Sequence, residues 1–256
     1  MEAYRDRKRR FREGSAVAVR PAVLNTMIAW LFIIGAALFA LGSVPAYADA
    51  VGATADSITY FVGSLFFTSA SFCQLVQAQT PAMTDVDVES QHTRSRVRFW
   101  AWLPRDRNWL AAITQFPGTL FFNISTLAAL IQNATVKQQD RRIWRPDLYG
   151  STLFLMSSAF AILAVGRLLS FRPRSLPWYI AWLNMIGSIF FMISALASYV
   201  LPTTGEFINS SVSIAGTLLG ALCFLVGAIL MLPAWKHAVR AAAPARPEGP
   251  QHRAAH

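Results

Sequence analysis

The amino-acid sequence predicts an all-α protein, a polytopic transmembrane helical bundle of six spans built as three pseudo-repeated helical hairpins. Three observations predict it: a composition too apolar for water, six long apolar runs, and one small motif present in every run. Of 256 residues, 54% are hydrophobic and 14% charged, and the mean hydropathy of +0.39 points to lipid as the solvent. The formal net charge of +10 lies between the apolar runs and not in a folded basic domain, which argues against a nucleic-acid partner. Cys73 and Cys223 each sit in an apolar stretch with no second Cys or His at ligand spacing; they read as small buried hydrophobes. Lysine occurs only at Lys8, Lys137 and Lys236 amid many arginines and alanines, as in a GC-rich bacterial source.

A lipid-spanning helix needs about 20 mostly apolar residues, because the hydrocarbon core is about 30 Å thick and offers no partners to backbone polar groups. Six runs qualify: Leu24 to Val44, Ile58 to Ala78, Trp109 to Ile131, Leu148 to Leu169, Trp178 to Leu201 and Phe207 to Leu232. No Asp, Glu or Lys falls inside them, and Arg167 lies near enough to an end to snorkel. Trp109, Tyr149, Trp178, Tyr179 and Tyr199 mark interfaces. The chain divides into a basic segment 1–23, hairpin 24–78, interfacial loop 79–108, hairpin 109–169, loop 170–177, hairpin 178–232 and a disordered tail 233–256.

Short-loop Lys and Arg stay on the cytoplasmic side. The N-terminal segment (Arg5 to Arg20), the second loop (Arg94, Arg96, Arg98, Arg105, Arg107), the fourth (Arg167, Arg172, Arg174) and the tail (Lys236, Arg240, Arg246, Arg253) are therefore inside, while the first and fifth loops carry Asp49, Asp56 and Glu206 and face out. Both termini are then cytoplasmic, in a bacterial inner membrane. The third loop, with Lys137, Arg141, Arg142 and Arg145, opposes the rule. Making the third segment re-entrant at Pro117 would bring that loop inside but would export the fourth loop and the tail. Ala46-Tyr47-Ala48 resembles a signal-peptidase site, but the apolar run before it is longer than a signal h-region, so the first span is retained. In the second loop Arg94, Arg96 and Arg98 run into Phe99, Trp100 and Trp102. That segment is either an interfacial lead-in or a site for anionic lipid headgroups.

Each span contains Gly, a small residue, two variable positions, Phe, two variable positions and a small residue. The copies are Gly35 with Phe39, Gly63 with Phe67, Gly118 with Phe122, Gly150 with Phe154, Gly187 with Phe191 and Gly220 with Phe224, closing at Gly42, Ala70, Ser125, Ser157, Ser194 and Gly227. On a helix these positions form one narrow stripe, a packing seam where small residues let backbones approach. Antiparallel neighbours then bring Phe beside Phe in a mid-membrane layer. Ile28-Ala29-Trp30-Leu31 before Ile34-Gly35 also recurs as Ile180-Ala181-Trp182-Leu183 before Ile186-Gly187.

The first hairpin, with Trp30 to Gly35, Phe39, Gly42-Ser43 and Phe61-Val62-Gly63-Ser64-Leu65-Phe66-Phe67, resembles the YrhK-like domain of bacterial membrane proteins over Leu24 to Ala78. Gly35-Ala36 departs from a Gly-Ser opening. The resemblance implies a membrane location and no activity or site residues.

The remaining leads are polar groups within spans: Gln74, Gln77, Gln115, Asn123 and Asn184. Gln115-Phe116-Pro117-Gly118 draws most notice, because Pro117 frees the carbonyl of Ile113. Gln115, Pro117, Asn123 and Asn184 form the candidate intramembrane site, either a solute or ion site in a transporter or interhelical hydrogen bonds. No span holds a His, paired carboxylates or a Glu-x-x-His arrangement, so no catalytic, metal or cofactor residue is assigned. Trp144-Arg145-Pro146-Asp147 reads as a helix start or a small recognition site. The expectation is a non-enzymatic membrane protein with a structural, regulatory or partner-dependent role; the alternative is a small transporter or channel.

Overall fold

In the computed structural model, residues 18–84, 94–130, 135–166 and 175–242 are described. Arg5 to Arg12, His92, Arg167, Arg172, Arg174, Arg246, Arg253 and the segment Pro244 to His256 lie outside them. Six long helices dominate: α1 Pro21–Gly42, α2 Ala53–Gln79, α3 Arg107–Ala129, α4 Arg145–Val165, α5 Leu176–Ala197 and α6 Ser210–Ala242. Prolines occupy the first turn of α1 and α5, where a missing N–H costs nothing. Asp106 caps α3 by accepting from the Asn108 and Trp109 N–H groups.

Three features depart from expectation. The fourth apolar helix begins at Val136 and not at Leu148, running through Val136–Gln139 and a π-turn Asp140–Trp144 into α4. Arg145 N–H donates to the Asp140 carbonyl, five residues back, one position before Pro146 removes the next donor. Pro146 and Asp147 therefore lie inside a continuous helix. Second, α6 continues beyond Leu232 through Pro233 to Ala242; the Ala, Lys and Arg of this stretch favour helix, so residues 233–242 are not disordered tail. Third, the all-helical class carries a small exception, an antiparallel pair of Ala18–Val19 with Ser95–Arg96. A short helix Pro45–Val51 also fills the first loop.

Consecutive helices pack most closely as α1 with α2, α3 with α4 and α5 with α6. The pairs then meet through α2 with α3, α4 with α5 and α6 with α1, closing a ring in chain order. Its helices bury hydroxyls and expose large apolar side chains. Ser64, Thr119, Ser151 and Ser188 are fully buried, whereas Met27, Trp30, Ile34, Leu120, Ile124, Ile189, Leu222 and Ile229 are exposed, an inversion that suits lipid and not water. Five helices, Pro21–Gly42, Ala53–Gln79, Val136–Val165, Leu176–Ala197 and Ser210–Ala242, are long and apolar enough to cross a membrane. The 23-residue α3 is not among them; Gln115, Pro117, Asn123 and several hydroxyls lower its hydropathy.

Every motif position is buried in all six helices. Within each pair the contacts are reciprocal. A Cβ on Gly35 would lie 2.9 Å from the Phe67 ring and 3.0 Å from the Gly63 carbonyl, and one on Gly63 would lie 2.9 Å from the Phe39 ring. Gly118 meets Phe154 at 3.0 Å, and Gly150 meets the Gly118 carbonyl at 3.1 Å and Phe122 at 3.2 Å. Gly187 meets Phe224 at 2.9 Å, and Gly220 meets Phe191 at 2.5 Å. Gly150→Val forces side-chain carbon onto a backbone oxygen that cannot yield. It is expected to lower stability by about 1–3 kcal/mol in detergent unfolding, whereas Leu222→Val on the lipid-facing side changes it little.

Candidate functional site

The six motif phenylalanines converge on the axis of the ring. Each of Phe39, Phe67, Phe122, Phe154, Phe191 and Phe224 is 2–7% exposed. Within pairs the ring centroids are 5.5 Å apart for Phe39 and Phe67, 5.1 Å for Phe122 and Phe154, and 5.2 Å for Phe191 and Phe224. Phe67, Phe154 and Phe224, from the three helices of one direction, form a closed triangle with separations of 5.6–6.5 Å. Phe191 bridges Phe39 at 6.2 Å and Phe122 at 5.9 Å on the other side. Most of these pairs are edge-to-face, the arrangement their quadrupoles prefer. The rings form a plug of two stacked triplets across the axis.

A second layer follows from helix geometry. Seven residues advance a helix by about 10 Å and rotate it only about 20° short of two full turns, so the residues seven positions from each motif Phe share its face. Toward the chain termini these are Phe32, Gln74, Gln115, Ala161, Asn184 and Met231. Five of the six line a cavity of about 80 Å³, together with Ile180, Phe224 and Ala228. The three pairs contribute one carboxamide each: Gln74, Gln115 and Asn184. The Gln74 Oε1 is buried with no hydrogen-bond partner. Ser157 Oγ donates to the Ala111 carbonyl at 2.8 Å and sits 3.4 Å from Gln115 Oε1. Ser188 Oγ donates to the Asn184 carbonyl and pairs with Ser158 Oγ at 2.9 Å. A neutral, hydrogen-bonding chamber of this size has room for a few waters or one very small polar solute.

Of the candidate site residues, Gln115 and Asn184 meet in this chamber; Pro117 and Asn123 do not line it. Asn123 is eight residues beyond Gln115, about 80° around the helix, and Phe122 takes the position over Gln115. The Asn123 Oδ1 is buried without a partner elsewhere. The helix passes unbroken through Pro117. Gln74, a polar residue within a span, joins Gln115 and Asn184 in the chamber, and its seven-residue spacing from Phe67 is the sequence signal for that. On the opposite side of the plug, Asp147 lies seven residues before Phe154 on the same face and is half-buried. Among the described residues no three His, Cys, Asp or Glu side chains converge as metal ligands.

The second loop is built against the same end as the chamber. Arg98 N–H donates to Thr80 Oγ1 at 2.8 Å and Ala101 N–H to Gln79 Oε1 at 2.7 Å, at the end of α2. Pairing with Ala18–Val19 puts Arg94, Arg96 and Arg98 outward, while Ser95 and Val97 turn inward. Phe99 is 53%, Trp100 77% and Trp102 71% exposed.

Compared with protein families, curated proteins and solved structures, the chain shows no significant match to any. Phe154→Ala, which empties the plug's most buried ring, is expected to cost about 3–5 kcal/mol in detergent unfolding. Phe122→Lys carries an insertion penalty near the bilayer centre of roughly 3 kcal/mol and should abolish membrane accumulation, read by fractionation.

Proposed function

We propose that the chain is a non-enzymatic, six-span protein of the bacterial cytoplasmic membrane with both termini inside, and that it works through partners at its surface, in a structural or regulatory role. One observation carries this reading: the bundle axis is filled by six buried phenylalanines, which makes the interior a sealed core and not a passage. The ring of six similar helices supports counting α3 as a span, since its motif packs against α4 as α1 does against α2. The shared motif supports descent of the three hairpins from one unit, of which residues 24–78 keep the YrhK-like resemblance. Outward-facing Arg94, Arg96 and Arg98 beside exposed Trp100 and Trp102 support contact with anionic lipid headgroups at the cytoplasmic face.

The chamber of Gln74, Gln115 and Asn184 beneath the plug, with Asp147 on the plug's far side, favours a second reading. In it the phenylalanines are a hydrophobic gate in a small-solute or ion transporter. Flux from proteoliposomes over a panel of small neutral solutes and monovalent ions separates the two. The sealed core predicts no permeation above empty liposomes; permeation abolished by Asn184→Leu would establish the gate. Reporter fusions at residues 90 and 240 are expected on the same, cytoplasmic side, and an opposite placement would reject six spans.

A further inference from the structure

The end of the bundle opposite both described chain ends carries a basic cluster remote from the plug and the chamber. Lys137, Arg141 and Arg142, with Thr135 and Gln138, line a surface concavity of about 490 Å³ at the beginning of the long helix leading into α4. Local structure holds it in place. Thr135 and Gln138 form a capping box, each side chain taking the other's backbone N–H. One turn later the π-turn Asp140–Trp144 begins. The neighbouring acid does not neutralise the cluster, because Asp140 is engaged by Arg145 at 2.8 Å. Among the described residues no ion pair reaches Lys137, Arg141 or Arg142, and all three are exposed.

Their depth is set by an aromatic anchor. Trp144 Nε1 donates to the Ala195 carbonyl at 2.8 Å, near the end of α5, and its ring packs on Tyr199 at 4.7 Å, an amphipathic pair of the kind that marks the edge of the hydrocarbon. At about 1.5 Å per residue, Arg142 and Arg141 stand roughly 3–5 Å above Trp144, and Lys137 roughly 10 Å. The headgroup layer is about 5–8 Å thick on each side of the hydrocarbon core. The two arginines thus stand at phosphate level, and Lys137 stands just beyond the layer on a stem flexible enough to reach back into it. Two planar forks beside a point charge suit a phosphate diester with net negative charge.

We propose that Lys137, Arg141 and Arg142 form a binding site for the phosphate of an anionic phospholipid in the leaflet away from the termini. The site rests on the chain crossing a bilayer, not on either functional reading. It explains how the third loop keeps a cluster that runs against the charge rule for orientation: the cations are held at a lipid surface rather than in free solvent.

The test uses the delipidated full chain in neutral detergent, with phosphatidylglycerol, phosphatidylcholine and sodium pyrophosphate as separate additions, and reads bound lipid by native mass spectrometry and unfolding temperature. Phosphatidylglycerol is expected to bind more tightly than phosphatidylcholine and to raise the unfolding temperature. The K137Q/R141Q/R142Q variant should bind it at least about tenfold more weakly, given about 1 kcal/mol for each cation near an anionic surface. An R94Q/R96Q/R98Q variant, altered at the other face, should retain the component that the first variant loses. Unchanged phosphatidylglycerol binding by a folded K137Q/R141Q/R142Q protein, with folding checked by circular dichroism, overturns the site. Stabilisation by pyrophosphate but not by phosphatidylglycerol overturns the lipid assignment.

Discussion

The reciprocal contact of glycine with phenylalanine across each antiparallel helix pair is the constraint from which the rest of the architecture follows. Because each Gly lacks a Cβ, the partner's ring and the partner Gly's carbonyl come so close to its backbone that an added Cβ would be crowded. Lipid provides no hydrophobic drive between helices, so association here depends on this intimacy of packing and on hydrogen bonds. The same contact directs the ring: a Phe seated over its partner's Gly points toward the axis, and three such pairs bring six rings together. The position after each Gly, occupied by Ala36, Ser64, Thr119, Ser151, Ser188 and Ala221, is 0% exposed in all six helices. Some of these side chains join hairpins. Ser64 Oγ pairs with Thr126 Oγ1 at 3.0 Å and Ser188 Oγ with Ser158 Oγ at 2.9 Å, and the two alanine copies belong to α1 and α6, whose contact closes the ring.

Layering along the axis is a consequence of the same repeat. With the plug fixed, each step of seven residues defines another ring of six side chains. On one side that ring contains three carboxamides from three hairpins; on the other it contains Tyr60, Asp147, Ser198 and Thr217 with Ala129, while α1 ends before it can contribute. Polar layers therefore flank an apolar one, and the apolar layer alone decides whether the axis is continuous. Its centroid spacings leave the rings in mutual contact, so any passage requires the helices to separate or several rings to turn together, against a core packed to near-solid density.

How far the molecule was legible in its sequence depended on periodicity. The apolar runs and the six-fold motif were visible because each repeats a simple spacing, and the meeting of the phenylalanines followed from antiparallel pairing. Asn123 stands apart from Gln115, because eight residues overshoot two helical turns by about 80° and move the side chain to another face. Gln74 follows its Phe whereas Gln115 and Asn184 precede theirs, and the antiparallel direction of α2 brings all three to one level. The π-turn was invisible because Pro146 carries the signal of a helix start, and the continuation to Val136 rests on a widened turn that no residue pattern announces. Two-residue pairing of Ala18–Val19 with Ser95–Arg96 is likewise too short to leave an alternation in the sequence.

The extension of the fourth apolar helix changes the meaning of its charges. Read as starting near Leu148, the chain leaves Asp140, Arg141 and Arg142 in a loop and Asp147 at a helix start, with no depth or facing fixed for the first three. As part of one helix from Val136 to Val165, they acquire fixed directions and depths. Asp147 turns onto the face of Phe154, toward the axis; Asp140 is held by Arg145; and Arg141 and Arg142 stand out beyond Trp144. One insertion of a π-turn thus sorts a mixed charge run into an inward carboxylate, a compensated pair and an outward basic surface. A loop of identical composition would not separate these roles, because without a common helical frame neither depth nor facing is defined.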